Sequence, residues 1–405
     1  MSAVVTGLGI VAPNGVGVDE YWRNTLAGVS GIGPISRFDG SAYPTSLAGE
    51  VTGFEPLAHL PRRLVVQTDR WTQFALVAAE TALSDASALP LDETGLGEYD
   101  MAVVTASSSG GNEFGQGELG RLWRLGPDHV TTFQSIAWFY AATTGQLSIR
   151  HGMRGPCGVV VSEQAGGLDA IGQALRVIRD GTKLALTGGT EAPLSPYALV
   201  CLQTSKLLST ATDPTRAYVP FDIDAAGFVP GEGGAILVVE DEDSARARPG
   251  VFLYGRVVGY AATFDPPPGS GRPPALRRAA ELALARAGCE PGDIDVVFAD
   301  AAGVPEADRA EAEAIAGLFG EHGVPVTAPK TMTGRLFAGG GSLDAATALL
   351  ALRDGVIPPT AGVDPAAAYR LDLVVGTPRE APLRTALVLA RGFGGFNSAL
   401  VLQAM

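Results

Sequence analysis

The sequence predicts an α/β fold made of two duplicated halves, with helix layers packed around two sheets. Three observations lead there. Short apolar runs of strand length alternate with longer segments of helical spacing. A segment near residue 168 recurs near residue 343. The 405 residues, 46% hydrophobic and 18% charged, are enough to bury a large core in two similar halves.

Ala3 to Val11 reads as a buried strand, ended by a turn at Pro13-Asn14-Gly15. Asp69 to Leu83 has helical spacing, with Phe74, Val77, Ala78 and Ala82 on its apolar face. Met101 to Thr105 is a second buried strand, and the Ser107-Ser108-Ser109-Gly110-Gly111 run after it is expected to be flexible. Val159 to Val161 is a short strand running straight into Ser162-Glu163-Gln164, and a helix of small residues follows from about Gly167 to Arg179. Leu184 to Thr187 is another strand. The charge run Glu240-Asp241-Glu242-Asp243, closing in Pro249-Gly250, is expected to be a solvated linker between halves at 1–245 and 246–405. A strand from Val251 to Ala262 then opens the second half much as Ala3 opened the first.

The repeat lies in two helices. Leu168-Asp169-Ala170 begins one that ends in Arg179-Asp180-Gly181, and Leu343-Asp344-Ala345 begins one that ends in Arg353-Asp354-Gly355. Each is expected to follow a glycine-rich turn, Gly166-Gly167 in one case and Gly339-Gly340-Gly341 in the other. Shared starts and ends point to duplication. The two helices would then lie face to face between the sheets, where their Ala and Gly content permits close approach.

The net charge of −14 argues against nucleic acid and against anionic membrane surfaces. An acidic partner must find a local basic patch or dock on another subunit. Three cysteines, with no CxxC pair, fit a reducing cytoplasm and no disulfide framework. The N-terminus lacks the features of a signal peptide, and no run of about 18 apolar residues spans a membrane. No metal site is expected.

A residue at a strand–turn–helix junction is held rigidly beside a helix N-terminus. Backbone N–H groups and the helix dipole there favour a thiolate or an oxyanion. Val161-Ser162-Glu163-Gln164-Ala165-Gly166-Gly167 offers that geometry, with Gln164 at the turn and aimed into a pocket. A Gln amide is not a useful nucleophile and has no accessible pKa. Cys157 and Ser162 are the spare nucleophiles nearby, but neither stands at the turn and both read as packing residues. Cys201 and Cys289 read as small buried residues. His59, His129, His151 and His322 read as surface or turn histidines.

Here the chain resembles the β-ketoacyl synthases of the thiolase-like superfamily, over nearly its whole length. Val5 to Gly15 looks like their first strand and turn. Gly152-Met153-Arg154-Gly155-Pro156, Pro220-Phe221-Asp222, Gly231-Glu232-Gly233-Gly234 and Gly392-Phe393-Gly394-Gly395 are similar to further family segments, in the same order. The resemblance implies the thiolase-like five-layer αβαβα fold from two duplicated halves. It also implies where reactive groups belong. Condensing members use one Cys and two His. By motif order the Cys position holds Gln164, the first His position Ala302 and the second Arg335. Lys330, Asp308 and Glu311 match retained positions of this relic site. Asp300 is placed to pair with Arg335. That pair is either an anion or thioester site or a satisfied structural pair, and the structural pair is preferred.

The three replacements together resemble the chain length factor, or ketosynthase β subunit, of bacterial type II aromatic polyketide synthases. Val161 to Gly167, Ala137-Trp138-Phe139-Tyr140 and Phe264 to Pro273 are similar to that subfamily's own segments. The resemblance implies a non-condensing subunit, in a heterodimer with a Cys-bearing ketosynthase α subunit. An acyl carrier protein would bring phosphopantetheine, this chain binding no cofactor itself, and the growing poly-β-keto chain would reach the interface. Gate positions map onto Asn112, Gly115, Leu119 and Ile136, all small or medium here. They imply a deep tunnel and a product longer than an octaketide, a decaketide to dodecaketide. Trp138, Phe139 and Tyr140 are expected in the interface core. Two questions stay open. Gln164 either assists malonyl decarboxylation for priming or only fills the pocket and hydrogen-bonds its own turn. And the chain itself is either this subunit or an independent malonyl-carrier decarboxylase or acyltransferase with a relocated nucleophile; the missing Cys and His favour the subunit.

Overall fold

The structure, a computed structural model, describes residues 2–267 and 269–405; Pro268, within the Phe264 to Pro273 segment, lies outside the described residues. The first half runs β1 (Ala3–Ala12), α1 (Arg70–Asp85), β2 (Met101–Ala106), α2 (Asn112–Leu125), α3 (Ala142–His151), β3 (Cys157–Val160), α4 (Gly166–Arg179), β4 (Leu184–Glu191) and β5 (Gly233–Asp241). The second runs β6 (Gly255–Phe264), α5 (Leu276–Ala287), β7 (Val296–Phe298), α6 (Pro305–Phe319), β8 (Pro325–Thr327), α7 (Ala338–Asp354), β9 (Thr385–Gly392) and β10 (Phe396–Gln403).

The strand order is β3-β2-β4-β5-β1 in the first half and β8-β7-β9-β10-β6 in the second. Pairing senses also repeat. β1–β5 and β5–β4 are antiparallel and β4–β2 and β2–β3 parallel; β6–β10 and β10–β9 are antiparallel and β9–β7 and β7–β8 parallel. Thus α1, α3 and α4 correspond to α5, α6 and α7, and α2 has no counterpart among these. The duplication expected from two helices extends to the topology. The half-sheets join edge to edge through two residue pairs of β1 and β6, Val4 with Arg256 and Val5 with Gly255.

Side-chain alternation distributes the core over three main regions, one on each outer face and one between the sheets. Phe74 and Leu83 of α1 pack on Val103, Leu186 and Ile236, on one outer face. Leu276 and Leu284 of α5 and Ile315 of α6 pack on Val297, Leu387 and Val401, on the other. Between the sheets, Leu168, Ile171 and Leu175 of α4 meet Leu343 and Leu349 of α7 along with Val5, Leu237, Val388 and Leu400. α7 is buried from Ala338 to Leu352, as a helix apolar on every side must be. A Cβ on Gly167 would lie 2.4 Å from the Ser342 nitrogen, so the two middle helices touch backbone to backbone.

Four expectations need correction. The glycines at 166–167 and 339–341 are not turns before the helices but lie within α4 and α7, where the close contact requires them. The charge run is not a solvated linker. Glu240 and Asp241 end β5, Glu242–Arg246 is a short helix, and Glu240 is fully buried, bound by Arg248 and by the Thr6 hydroxyl. The strand after it starts at Gly255 rather than at Val251. The run at 107–111 is not loose: Ser107, Gly110 and Gly111 are buried, and every residue in it is hydrogen-bonded. No helix among the described residues is long and apolar enough to cross a membrane.

Candidate functional site

β3 delivers Ser162, Glu163 and Gln164 to the N-terminus of α4. Glu163 has φ 53°, a left-handed conformation that a non-glycine residue adopts only when its surroundings enforce it. Those surroundings are specific. The Glu163 carboxylate accepts the backbone N–H of Gln164 at 2.7 Å and of Phe393 at 2.9 Å. Ser162 donates to Asp169, which also accepts Tyr260 Oη–H at 2.8 Å and the Ser398 hydroxyl. The turn is therefore pinned from both halves.

Gln164 is fully buried but is not part of the cavity wall, which corrects the expectation that it points into the pocket. Its side chain lies in the seam between α4 and α7, over Gly340, where an added Cβ would come within 2.1 Å of Nε2. Nor does its side-chain amide bond its own turn: neither Oε1 nor Nε2 has a hydrogen-bond partner among the described residues. Gly340 leaves the room that this longer side chain needs.

A cavity of about 540 Å³ lies beside the turn, walled by Glu163, Asp300, Ala302, Arg335, Phe228 and Phe393 among others. Arg335 Nη2 contacts both Asp300 carboxylate oxygens, at 3.1 and 3.0 Å, and donates to the Arg391 carbonyl at 2.6 Å. Burial works against its charge, but Asp300 and the neighbouring Tyr218 and Glu163 outweigh it and hold the guanidinium more firmly protonated than usual. Asp300 also accepts the Arg391 N–H at 2.8 Å. The expected structural pair is thus present, with its donors largely used.

Lys330 ion-pairs with Asp344 at 2.7 Å and donates to the carbonyls of Ala299 and Asp300 at 2.7 and 3.0 Å. Glu311 accepts the N–H groups of Asp300 and Ala301 at 2.7 and 2.8 Å. Asp308 accepts those of Phe221 and Gly303 at 3.0 and 2.9 Å. Burial pushes Glu311, Asp308 and Asp344 up to about 7, 7 and 6. These groups shape residues 299–303 and leave Ala302, with only a methyl group, facing the cavity.

The residues expected at the gate lie apart from this cluster, on α2 and the short helix Gln134–Ala137. Asn112 Nδ2 donates to Ser109 Oγ at 2.7 Å, and Ser109 itself lines the cavity. Gly115 leaves no void, because a Cβ there would lie 3.0 Å from Cδ1 of Trp138. Leu119 and Ile136 are 49% and 39% exposed, near Trp138, Phe139 and Tyr140 at 49%, 44% and 41%. Cys157 is exposed on β3 rather than packed, and Cys201 is exposed at the cavity rather than buried; Cys289 is buried as expected. His59, His129 and His322 are exposed, while His151 is half-buried at the end of α3. Glu163, Asp169, Glu191 and Arg391 escaped the sequence reading. A lone acid closing an apolar strand, as Glu191 closes β4, was the available signal.

Residues 2–245 match the family Beta-ketoacyl synthase, N-terminal domain, and residues 254–364 match Beta-ketoacyl synthase, C-terminal domain. The chain belongs to the β-ketoacyl synthase family. It is 60% identical over 402 residues to the tetracenomycin polyketide synthase ketoacyl synthase beta subunit of Streptomyces glaucescens, covering 99% of this chain and 98% of that protein. It is 57% identical over 404 residues to the actinorhodin polyketide putative beta-ketoacyl synthase 2 of Streptomyces coelicolor, covering 100% and 98%. Among solved structures, the ishigamide ketosynthase/chain length factor superposes with a TM-score of 0.91 at 29% identity, covering 100% of this chain and 99% of that one. A type II polyketide synthase acyl carrier protein in complex with its ketosynthase gives 0.87 at 27%, covering 100% and 99%. Within the family the chain sits with the ketosynthase β subunits, or chain length factors, of type II polyketide synthases.

Proposed function

We propose that this chain is the non-condensing subunit of a type II polyketide synthase. It pairs with a Cys-bearing ketosynthase α subunit, closes the acyl tunnel at their interface and sets the length of the poly-β-keto chain. One observation carries the reading: on a ketosynthase scaffold, Gln164, Ala302 and Arg335 stand, by motif order, where condensing members keep the nucleophile and the two histidines. None of the three can be acylated or supply an imidazole. Relatives solved as a ketosynthase/chain length factor and as a ketosynthase with its acyl carrier protein support the pairing and the docking of such a carrier. In this reading phosphopantetheine arrives on the carrier protein, and this chain holds no cofactor. The assembly works in the cytoplasm, in keeping with three free cysteines.

The place of Gln164 in the α4–α7 seam supports a filling role over decarboxylation, and it lends nothing to a free-standing decarboxylase. The short side chain of Asn112 supports a product longer than an octaketide, a decaketide to dodecaketide, with the Trp138 ring, which fills the space beside Gly115, as the local wall. The test uses the heterodimer with its Cys-bearing partner. Asn112→Phe, and Gly115→Phe, which must displace Trp138, are expected to shorten the main product by about one ketide unit or more, because a packed wall resists overfilling. Unchanged product length by mass spectrometry would show that the gate lies elsewhere.

A further inference from the structure

Two buried carboxylates hold α2 and the loop before it. Glu191, at the end of β4, is 1% exposed, and Asp69, which caps α1, is 3% exposed. Glu191 Oε1 accepts the Ser107 hydroxyl at 3.2 Å and the backbone N–H of Ser108. Ser107 Oγ in turn accepts the Gly110 N–H at 3.3 Å. Asp69 spends one oxygen on the Trp71 N–H of its own helix, at 3.2 Å, and reaches with the other to the Phe114 N–H in the first turn of α2, at 2.8 Å. Further bonds close the frame. The Trp138 carbonyl accepts the Gly111 N–H at 3.1 Å, and Ser108 Oγ accepts the Ala338 N–H, which opens α7, at 3.0 Å. The loop thus runs from the cavity, which Ser108 and Ser109 line, to Asn112 and Trp138, and each step is tied.

Neither acid lines the cavity, and neither has a basic partner within ion-pair distance among the described residues. Apolar packing at two such sites is the cheaper way to fill a core. What a carboxyl group adds is several acceptor positions at one point. Burial pushes Glu191 up to about 8 and Asp69 up to about 7, and the nearby Asp69 carboxyl adds to the rise of Glu191. Glu191 therefore serves the loop largely as a neutral acceptor at pH near 7, a part that a glutamine side chain can also play.

We propose that Asp69 and Glu191 are positioning residues for product length: they hold residues 107–111 and the first turn of α2 in one register, and that register sets the depth of the tunnel at Asn112 and Gly115. The inference rests on the gate reading of α2 given above. A wall measures a chain only if it is held still. Removing an acceptor leaves buried N–H groups unpaired and lets the segment open locally.

The experiment uses the complex with its Cys-bearing ketosynthase, supplied with acyl carrier protein and malonyl units. Product lengths are read by mass spectrometry and amide exchange over residues 107–114 in parallel. Glu191→Gln keeps a carbonyl acceptor and is expected to retain the wild-type length distribution. Glu191→Ala removes the acceptor of both the Ser107 hydroxyl and the Ser108 N–H, and is expected to raise the share of off-length chains about fivefold and exchange in the loop about tenfold or more. Asp69→Asn, which offers one acceptor oxygen to two N–H groups, falls between them. Asn112→Phe separates the two ideas. If it shortens the product while Glu191→Ala leaves the length ratio unchanged, the gate stands and the positioning role is wrong. If neither changes the product, the gate reading falls and this inference falls with it. Should Glu191→Ala not assemble, Ser107→Ala replaces it; it deletes the bond to Glu191 and the one from the Gly110 N–H and is expected to raise off-length chains about twofold, and an unchanged ratio overturns the proposal.

Discussion

Four buried carboxyls of this protein serve backbone N–H groups and have no cation within ion-pair distance among the described residues. Glu191, Asp69, Asp308 and Glu311 are raised by burial to about 8, 7, 7 and 7. Their unfolded values are about 4. Between those limits the native state binds protons that the unfolded chain has released. The stability each contributes is complete below about pH 4 and is lost as pH rises through its folded pKa. His151 has the opposite sign. Burial lowers it from 6.5 to about 4, so its contribution is present above 6.5 and lost as pH falls. From about pH 6.5 to 8.5 the raised acids dominate, and conformational stability is expected to fall by at most about 1.4 kcal/mol per pH unit for each group titrating. Denaturant melts across that range check this, and Glu191→Gln should flatten the upper part of the profile. A flat wild-type profile would contradict the assignment. The Asp300–Arg335 pair was legible from sequence because a replaced histidine and a nearby acid invite it. The retreat of Gln164 was not, since it depends on which side chain Gly340 makes room for across 176 positions of chain.

Between elements, the informative contacts are those where backbone meets backbone. α4 and α7 were recognisable as a repeated pair because their small residues survive at matched positions. Other elements misled for one physical reason: their partners are remote. Glu240 looks solvated beside Asp241, Glu242 and Asp243, yet Thr6 and Arg248 bury it. The glycine-serine run at 107–111 looks loose, yet Glu191 and Trp138 pin it. Local composition reports neither tie. The helix seam gives the clearest check. In Gly167→Ala the new Cβ would lie 2.4 Å from the Ser342 nitrogen and 2.8 Å from the Ala338 carbonyl oxygen, backbone atoms that cannot rotate away. The cost is expected to be about 1–3 kcal/mol. Gly117→Ala on α2, where an added Cβ meets nothing within 4 Å, should instead gain about 0.5–1 kcal/mol. Equal effects in urea melts would refute the close-packing account.

Over the whole molecule, the apolar surface is concentrated where the fold is least repeated. α2 and the residues after it have no counterpart in the second half, and they carry Leu119, Ile136, Trp138, Phe139 and Tyr140 at 39–49% exposure. Phe139 and Tyr140 stack loosely, with ring centroids 4.8 Å apart. β3 is the terminal strand of its half-sheet and exposes Val161 just beyond its end, at 46%. An edge strand beside exposed aromatic residues is a surface that asks for a partner, because the edge offers unpaired N–H and C=O groups for pairing and apolar rings are costly in water. The proposed ketosynthase partner supplies that cover, and the same patch carries the residues proposed for the gate. Phe139→Glu or Ile136→Glu is therefore expected to weaken the 1:1 complex about a hundredfold by desolvating a charge at the centre of the interface. Ile223→Glu, at a site 85% exposed and remote in sequence from this patch, serves as the control and should leave binding within about threefold. Titration followed by native mass spectrometry separates the outcomes. If the control and the patch variants bind alike, the subunits meet elsewhere, and a gate on α2 loses its place at the interface.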